Sequence, residues 1–527
     1  MVWSFPPRFS IKLSRPELVP PKSPTPKEKK ALSDLDDQAS LRYQMPGLWF
    51  YENKESMVGR DPASVIKEGL AKALVFYYPL AGRLIEGPNK KLIVDCNGEG
   101  ALFLKAEANI ALHKLGDFIH SPSPYLSKLQ YNVPGSQGIT GCPLLLIQVT
   151  RFTCGGIAAR VDSITPVVER LSGDGLMDES HSLYKRIQLR LRFLLARSYF
   201  CKLFVTRFTC GGIALGVRLN HTMVDGYGMV LFLKALCELA LGGSMPSVLP
   251  VWDREMLSAT ANPNPTCSHA LYEAPCFRNN FKLFDFEWWA NKIFNVEKLA
   301  SQPLFFFFPK IFKPIFVQSS FIVGPKEIQA LRDQAIAQDY GRCTTFELIT
   351  ACLWKCRTIA LQPYPNATVR LTFPTDMRQK SLEGLKLSPG YYGNAIVMQS
   401  ATSTAKLLCD SPITYAIQLI REAKNKVNVD YVKSVIDFMV TRGRPRMSVL
   451  RNMLVSDISR IGMEKIDFGW GDAIYAGASI AAYGATFLER PKSSDSTTEK
   501  SILVPISLPH IYMQIFTHEF KKMTNSS

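Results

Sequence analysis

The chain has 527 residues, 46% of them hydrophobic and 20% charged, which excludes a disordered protein and suits roughly two to four domains, or two large ones sharing an interface. The formal net charge of +17 reads first as a solvated basic surface, with an anionic partner (nucleic acid, membrane surface or a phosphorylated small molecule) as the functional alternative. Lys and Arg form no long run and no zinc-finger or aromatic RNA-binding signature is present, so nucleic acid is not expected; a ligand with several phosphates suits a basic cleft better.

The N-terminal stretch has no apolar run of signal-peptide length, and no segment reaches about 18 consecutive apolar residues, so neither a leader nor a membrane span is expected. The 12 cysteines form no CxxC pair. Cys352 and Cys356, one helical turn apart, read as a buried helix face rather than a metal site. A reduced, cytoplasmic protein without a metal is the simplest account.

Residues 1–30 are rich in Pro and Lys and predict an extended surface segment. Ser33-Asp34-Leu35-Asp36 then reads as a cap or turn leading into the fold. The spacing of Val65, Ile66, Leu70, Ala73 and Leu74 predicts a helix starting at Asp61-Pro62 and ending near Tyr78-Pro79. Strands are predicted from Leu80, at 92–95, 101–105, 143–150 and 211–219, followed by a helix over 229–241. Residues 262–275 resemble a linking loop. The second half is predicted to begin near Phe321, with helices at 325–338, 345–360 and 413–428. Its strands fall at 369–374, 395–400, 454–457 and 502–508. Two comparable halves of mixed elements predict an α/β protein of two domains, 1–265 and 321–527, joined by a linker over 266–320 with an atypical Phe305–Phe308 run.

The decapeptide Val-Thr-Arg-Phe-Thr-Cys-Gly-Gly-Ile-Ala occurs twice, at 149–158 and 205–214. Only the second copy runs on through Leu219-Asn220 to His221. A histidine at the end of an apolar strand, followed by turn-forming residues, presents an imidazole at a cleft edge with a pKa suited to proton abstraction. Such a base needs no covalent intermediate when an alcohol or amine attacks an activated thioester. Asp225 either orients His221, as in a triad, or forms an ion pair with an arginine that fixes the turn. The shortness of the turn favours the ion pair.

His221-Thr-Met-Val-Asp225 and Asp467-Phe-Gly-Trp-Gly471 match, in order and separation, the HxxxD and DFGWG motifs of the plant BAHD acyltransferases. Ser4-Phe-Pro-Pro, Leu35-Asp-Asp-Gln, Phe76-Tyr-Tyr-Pro-Leu-Ala-Gly-Arg83, Tyr391-Tyr-Gly-Asn394 and Leu454-Val-Ser-Asp457 also resemble that family. The likeness is greatest to its benzyl alcohol benzoyltransferase and methanol anthraniloyltransferase branch, over roughly 31–158, 205–275 and 320–510.

The resemblance implies two chloramphenicol-acetyltransferase-like domains, with mixed sheets and flanking helices around a central channel. It implies a monomer that takes acyl-coenzyme A as co-substrate, with no permanently bound cofactor, and a small alcohol as acceptor. His221 would be the general base. Asp225, beside Gly226, would sit in a salt bridge for which Arg378 is the candidate. Asp467 would be catalytic or architectural, on a loop with Gly469, Trp470 and Gly471, and Tyr392, Gly393 and Asn394 would line the channel. From the residues alone, 467–471 is a glycine-pinned turn with core aromatics, and 392–394 is equally an ordinary glycine turn. The implied product is a benzoyl, anthraniloyl or related ester of benzyl or small alcohols. An amine N-acyltransferase and a non-catalytic ligand-binding relative are the alternatives.

The chain departs from the family pattern after Ala158, where Ala159-Arg-Val-Asp replaces the expected run into Leu-Asn-His. Removing 159–214 joins Ala158 to Leu215 and restores it. The stretch 159–204 is therefore either a real excursion bounded by the repeat or translated non-coding sequence, and the second is preferred. Residues 279–318, with Trp288-Trp289 and the Phe run, match nothing expected of the linker and would be an aggregation liability. A version lacking 159–214 is expected to be active and the full chain weakly active or poorly soluble.

Overall fold

The structure, a computed structural model, describes residues 6–133, 135, 139–153, 157–160, 204–207, 212–273, 316–338, 341–378, 380, 384–448, 451–478, 484–492 and 500–525. A large sheet carries the first half. Its strand order is β1 (Ile11–Leu13), β7 (Ala101–Ala108), β8 (Leu145–Phe152), β11 (Ile213–Asn220), β4 (Gln44–Tyr51) and β16 (Tyr475–Gly477), with β2 (Glu17–Val19) also pairing β7. Only β7 and β8 run parallel; the other neighbours are antiparallel. β8 and β11 are buried along almost their whole length, because both faces of the sheet are covered. Three short strands, β3 (Lys29–Ala31), β6 (Leu92–Asp95) and β5 (Arg83–Glu86), make a separate ribbon.

Helix α1 (Pro62–Phe76) starts where expected, with the Asp61 side chain accepting the Ser64 N–H. It crosses α2 (Gly226–Ala240) at Gly69, where an added Cβ would lie 2.6 Å from the Ala240 side chain. In the second half, β14 (Ile396–Thr404), β13 (Thr368–Asp376), β15 (Asn452–Asp457) and β17 (Ala485–Leu488) form a mixed sheet. A bridge between Glu489 and Leu503 connects it to β18 (Ile502–Pro509), which pairs β12 (Phe316–Val323). Around these lie α3 (Pro325–Ile336), α4 (Thr345–Leu361), α5 (Ile413–Asn425), α6 (Val429–Thr441) and α7 (His510–Thr524).

Several expectations change. The strand expected from Leu80 begins at Arg83, after a tight helical turn over Tyr78–Ala81. The helix expected over 413–428 ends at Asn425, because Asn428 accepts the Tyr431 N–H and starts α6 instead. Residues 1–30 are partly pinned rather than merely extended, since β1 and β2 pair with β7 and β3 with β6. Residues 279–315 of the suspect linker and 161–203 of the insertion lie outside the described residues, whereas Phe316–Gln318 open β12.

The repeat finds a structural expression. β8 and β11 pair from Leu145↔Leu219 to Arg151↔Ile213. β9 (Ile157–Arg160) and β10 (Phe204–Arg207) pair antiparallel in that same register, from Ile157↔Arg207 to Arg160↔Phe204. The two decapeptide copies therefore pair with each other in one register, through two separate ladders. An antiparallel pair relates its strands by a local two-fold axis, so identical segments can be partners.

The two halves also interlock. β16 comes from the second half yet extends the first sheet. Phe468 and Trp470, 1% and 6% exposed, pack into the core that holds Trp49, Leu215 and Phe232. The Asp467–Gly471 segment, expected within 321–527, thus contributes its rings to the other half's core.

Candidate active site

β11 ends at Asn220, whose side-chain oxygen accepts both the N–H (3.1 Å) and the hydroxyl (2.8 Å) of Thr222 and so turns the chain. His221 stands just beyond the ladder. Its N–H donates to the Tyr43 carbonyl (2.9 Å), and its carbonyl accepts from Asn394 Nδ2 (2.8 Å). The half-buried imidazole meets the Tyr43 ring edge to face, with centroids 5.3 Å apart. Among the described residues its buried Nδ1 has no hydrogen-bond partner. Burial holds the imidazole pKa below its ordinary value; the backbone of His221 and Val224, the Asn394 amide and the charge of Asp225 pull the other way.

The Asp225 carboxylate is fully engaged. It caps α2 by accepting the Gly228 N–H (2.9 Å), and it accepts the Ala395 N–H (3.0 Å). Arg378 grips it with two guanidinium nitrogens at 2.9 and 3.2 Å. Burial works against the Arg378 charge, but Asp225 and then Asp376 outweigh it and raise its pKa. Arg378 also donates to the carbonyl of Gly393 (2.6 Å) and lies 4.7 Å over the Tyr227 ring. The arrangement is an ion pair that fixes the turn, and none of these Asp225 contacts is with the imidazole.

A family model described as Transferase family matches residues 9–164 and 200–523, leaving out the middle of the insertion. Alcohol acyl transferase 1 allele GSd of Malus domestica is 40% identical, covering 98% of this chain and 94% of that one. Benzyl alcohol O-benzoyltransferase of Petunia hybrida is 38% identical, with 98% and 94% covered. The chain belongs to this family, the BAHD acyltransferases. The crystal structure of vinorine synthase has the same fold, with a TM-score of 0.61 at 18% identity over 98% of this chain and 99% of that one. So does TRI101 of F. sporotrichioides, complexed with coenzyme A and T-2, with a TM-score of 0.61 at 14% identity, covering 94% and 98%. The fold is thus chloramphenicol-acetyltransferase-like, with mixed α/β sheets.

In this acyltransferase the Asp467 carboxylate accepts the N–H groups of Gly469 (2.6 Å) and Gly471 (2.8 Å) in its own turn. Both glycines adopt positive φ, 101° and 88°, which side chains rarely tolerate. Neighbouring carbonyls tie the loop to β4, Ile466 accepting from the Tyr51 hydroxyl and Met463 from Trp49 Nε1, each at 2.8 Å.

The residues expected to line a channel, Tyr392, Gly393 and Asn394, lie among buried neighbours. Tyr392 is 2% exposed, with the rings of Tyr77 and Trp252 at 5.1 and 6.0 Å. An added Cβ at Gly393 would lie 2.0 Å from Arg254 Nη1. Asn394 is fully buried. All three form the seam behind His221. At Gly226 an added Cβ would meet only Ile461, at 3.3 Å. The glycine the turn requires is Gly228, where a Cβ would lie 2.0 Å from the Tyr392 carbonyl.

Sequence reasoning missed Asp36 and Arg254, which form a buried ion pair at 2.7 Å, both at most 1% exposed. Ser33-x-x-Asp36 signals a local turn, which the structure contains, but nothing local announces a partner 218 residues away. No group of His, Cys, Asp and Glu among the described residues could hold a metal. No helix among them is long and apolar enough to cross a membrane.

Proposed function

We propose that this acyltransferase transfers an acyl group from a coenzyme A thioester to the hydroxyl of a small alcohol, with His221 as general base. The imidazole takes the alcohol proton as the oxygen attacks the thioester carbonyl. The tetrahedral oxyanion then collapses, the C–S bond breaks, and the leaving thiolate recovers the proton from the imidazolium. The observation that carries this reading is the commitment of Asp225 to Arg378, Gly228 and Ala395, which leaves a half-buried imidazole as the free base at the strand end.

The acceptor class rests on relatives bearing the names alcohol acyltransferase, in Malus domestica and Actinidia chinensis var. chinensis, and benzyl alcohol O-benzoyltransferase, in Petunia hybrida. Benzoyl, anthraniloyl or related donors and benzyl or short alcohols are the substrates to try first. A coenzyme A complex of the same fold and the +17 charge support an anionic co-substrate. The reading extends to a cytoplasmic monomer of two domains, 1–265 and 321–527, with a substrate channel between them. Asp467 then shapes its loop and touches no substrate.

His221→Ala tests the mechanism. Turnover, followed as coenzyme A thiol release, should fall about 10²–10⁴-fold while calorimetric binding of coenzyme A persists. Unchanged turnover would reject His221 as the base. Benzylamine offered beside benzyl alcohol separates ester from amide formation.

A further inference from the structure

The turn that carries His221 is held at three carbonyl or carboxylate groups, and two of them lead back to one residue. Asp36 is fully buried. Its Oδ1 accepts both the backbone N–H and the side-chain amide of Asn394, each at 2.9 Å. The second hydrogen of that amide goes to the His221 carbonyl at 2.8 Å. The other carboxylate oxygen pairs with Arg254 Nη1 at 2.7 Å, and Arg254 Nη2 donates to the Met223 carbonyl at 2.8 Å. Ser33 fixes that oxygen further through its N–H (3.1 Å) and hydroxyl (2.6 Å).

The geometry points to Asp36 as the positioning residue of the reaction, reaching the His221 turn through Asn394 on one side and Arg254 on the other. The inference rests on His221 being the base. Its logic is physical. His221 lies outside the sheet ladder, and among the described residues its backbone is defined by the Tyr43 and Asn394 bonds. Both hydrogens of the Asn394 amide are used, and the Asp36 carboxylate sets which way that amide faces. Losing the anchor lets the imidazole shift while the co-substrate's own contacts stay in place. A displacement of about 1 Å can cost on the order of 10²-fold in rate.

The test compares Asn394→Ala, which removes the clamp without stranding a charge, with Asp36→Asn, each alone and combined with His221→Ala. Active sites are counted by coenzyme A binding, so that misfolded protein does not enter the rate. We expect kcat per binding site to fall about 10²-fold in each single variant, with KM for the acyl donor within about twofold. In the His221→Ala background neither change should lower the residual rate further. An unchanged kcat per binding site overturns the inference, and so does an equal loss with and without the histidine. If His221→Ala alone keeps full turnover, the general-base reading is what fails. Should Asp36→Asn not fold, the Asn394→Ala cycle still decides.

Discussion

Burial is the largest influence on the His221 imidazole and depresses its pKa. A base must be neutral to accept a proton, so the acid limb of kcat/KM should fall below the ordinary histidine value of about 6.5. Thiol release measured from about pH 5 to 8 checks this, and a limb centred at or above 6.5 would count against it. The stability consequence has the same sign. Below about 6.5 the unfolded chain takes up a proton that the native imidazole refuses, so stability drops as the pH falls toward the folded pKa. Replacing His221 by Ala should flatten that acid-side drop in thermal unfolding. The ion pair makes a separate demand. Arg378 binds Asp225 with two nitrogens, which a lysine cannot copy. Arg378→Lys should lower both kcat and the melting temperature, whereas Asp225→Ala, which takes the bidentate partner from a buried guanidinium and leaves it only Asp376 at 3.2 Å, should cost about 3 kcal/mol. Thiol release measures the fall in kcat, and thermal and denaturant unfolding measure the two stability losses.

At the scale of elements, the insertion makes the clearest prediction. Deleting 159–214 leaves Ile157 and Ala158 in the places of the identical Ile213 and Ala214, and brings Gly156 to the place of Gly212, whose carbonyl accepts the Phe152 N–H. The hairpin then closes through Thr153-Cys154-Gly155, a length that suits an antiparallel pair. The shortened chain should keep its turnover and unfold at an equal or higher temperature, since each halving of a loop is worth about 0.6 kcal/mol. Loss of soluble, active protein on deletion would show that the insertion is structural. Element by element, the periodic segments were legible: α1, β6, α4 and β15 fall where apolar spacing and caps put them. β4 was not, because Pro46 and Gly47 read as breakers. Among the described residues β16 covers Leu48–Phe50 and no strand pairs Pro46 on that side, so its missing N–H costs no ladder bond there. The split between α5 and α6 hung on one cap, Asn428, inside a stretch that stays helical in composition.

At the scale of the whole molecule, the halves do not behave as separable beads. Tyr475 in β16 takes a hydrogen bond from the Ser121 N–H (2.8 Å) and gives one to buried Glu489, so three distant segments meet on one hydroxyl. Trp470 and Phe468 fill the first half's core. Trp470→Ala should therefore destabilise the entire chain by about 3–5 kcal/mol, and calorimetry should show one transition. Two resolved transitions, only one of them shifted, would mean that the halves unfold independently. The same long-range character limits what the sequence reveals of the site. His221, Asp225 and Arg378 could be named from spacing and resemblance. Asp36 and Arg254 could not, because 218 residues separate them and only the folded first half brings them together, and Tyr392 reads as a loop residue until its burial is seen.

The paired decapeptides give the chain two candidates for one place in the sheet, and Gly216 decides between them. If the first copy were to occupy the β11 position, the residue arriving where Gly216 lies would be Arg160. A Cβ there would stand 2.3 Å from the Leu129 carbonyl, so the backbone would have to move to admit any side chain. The duplicated strand is thus sorted by a single missing atom: the copy that cannot deliver a histidine is also the copy whose arginine would collide at the Gly216 position.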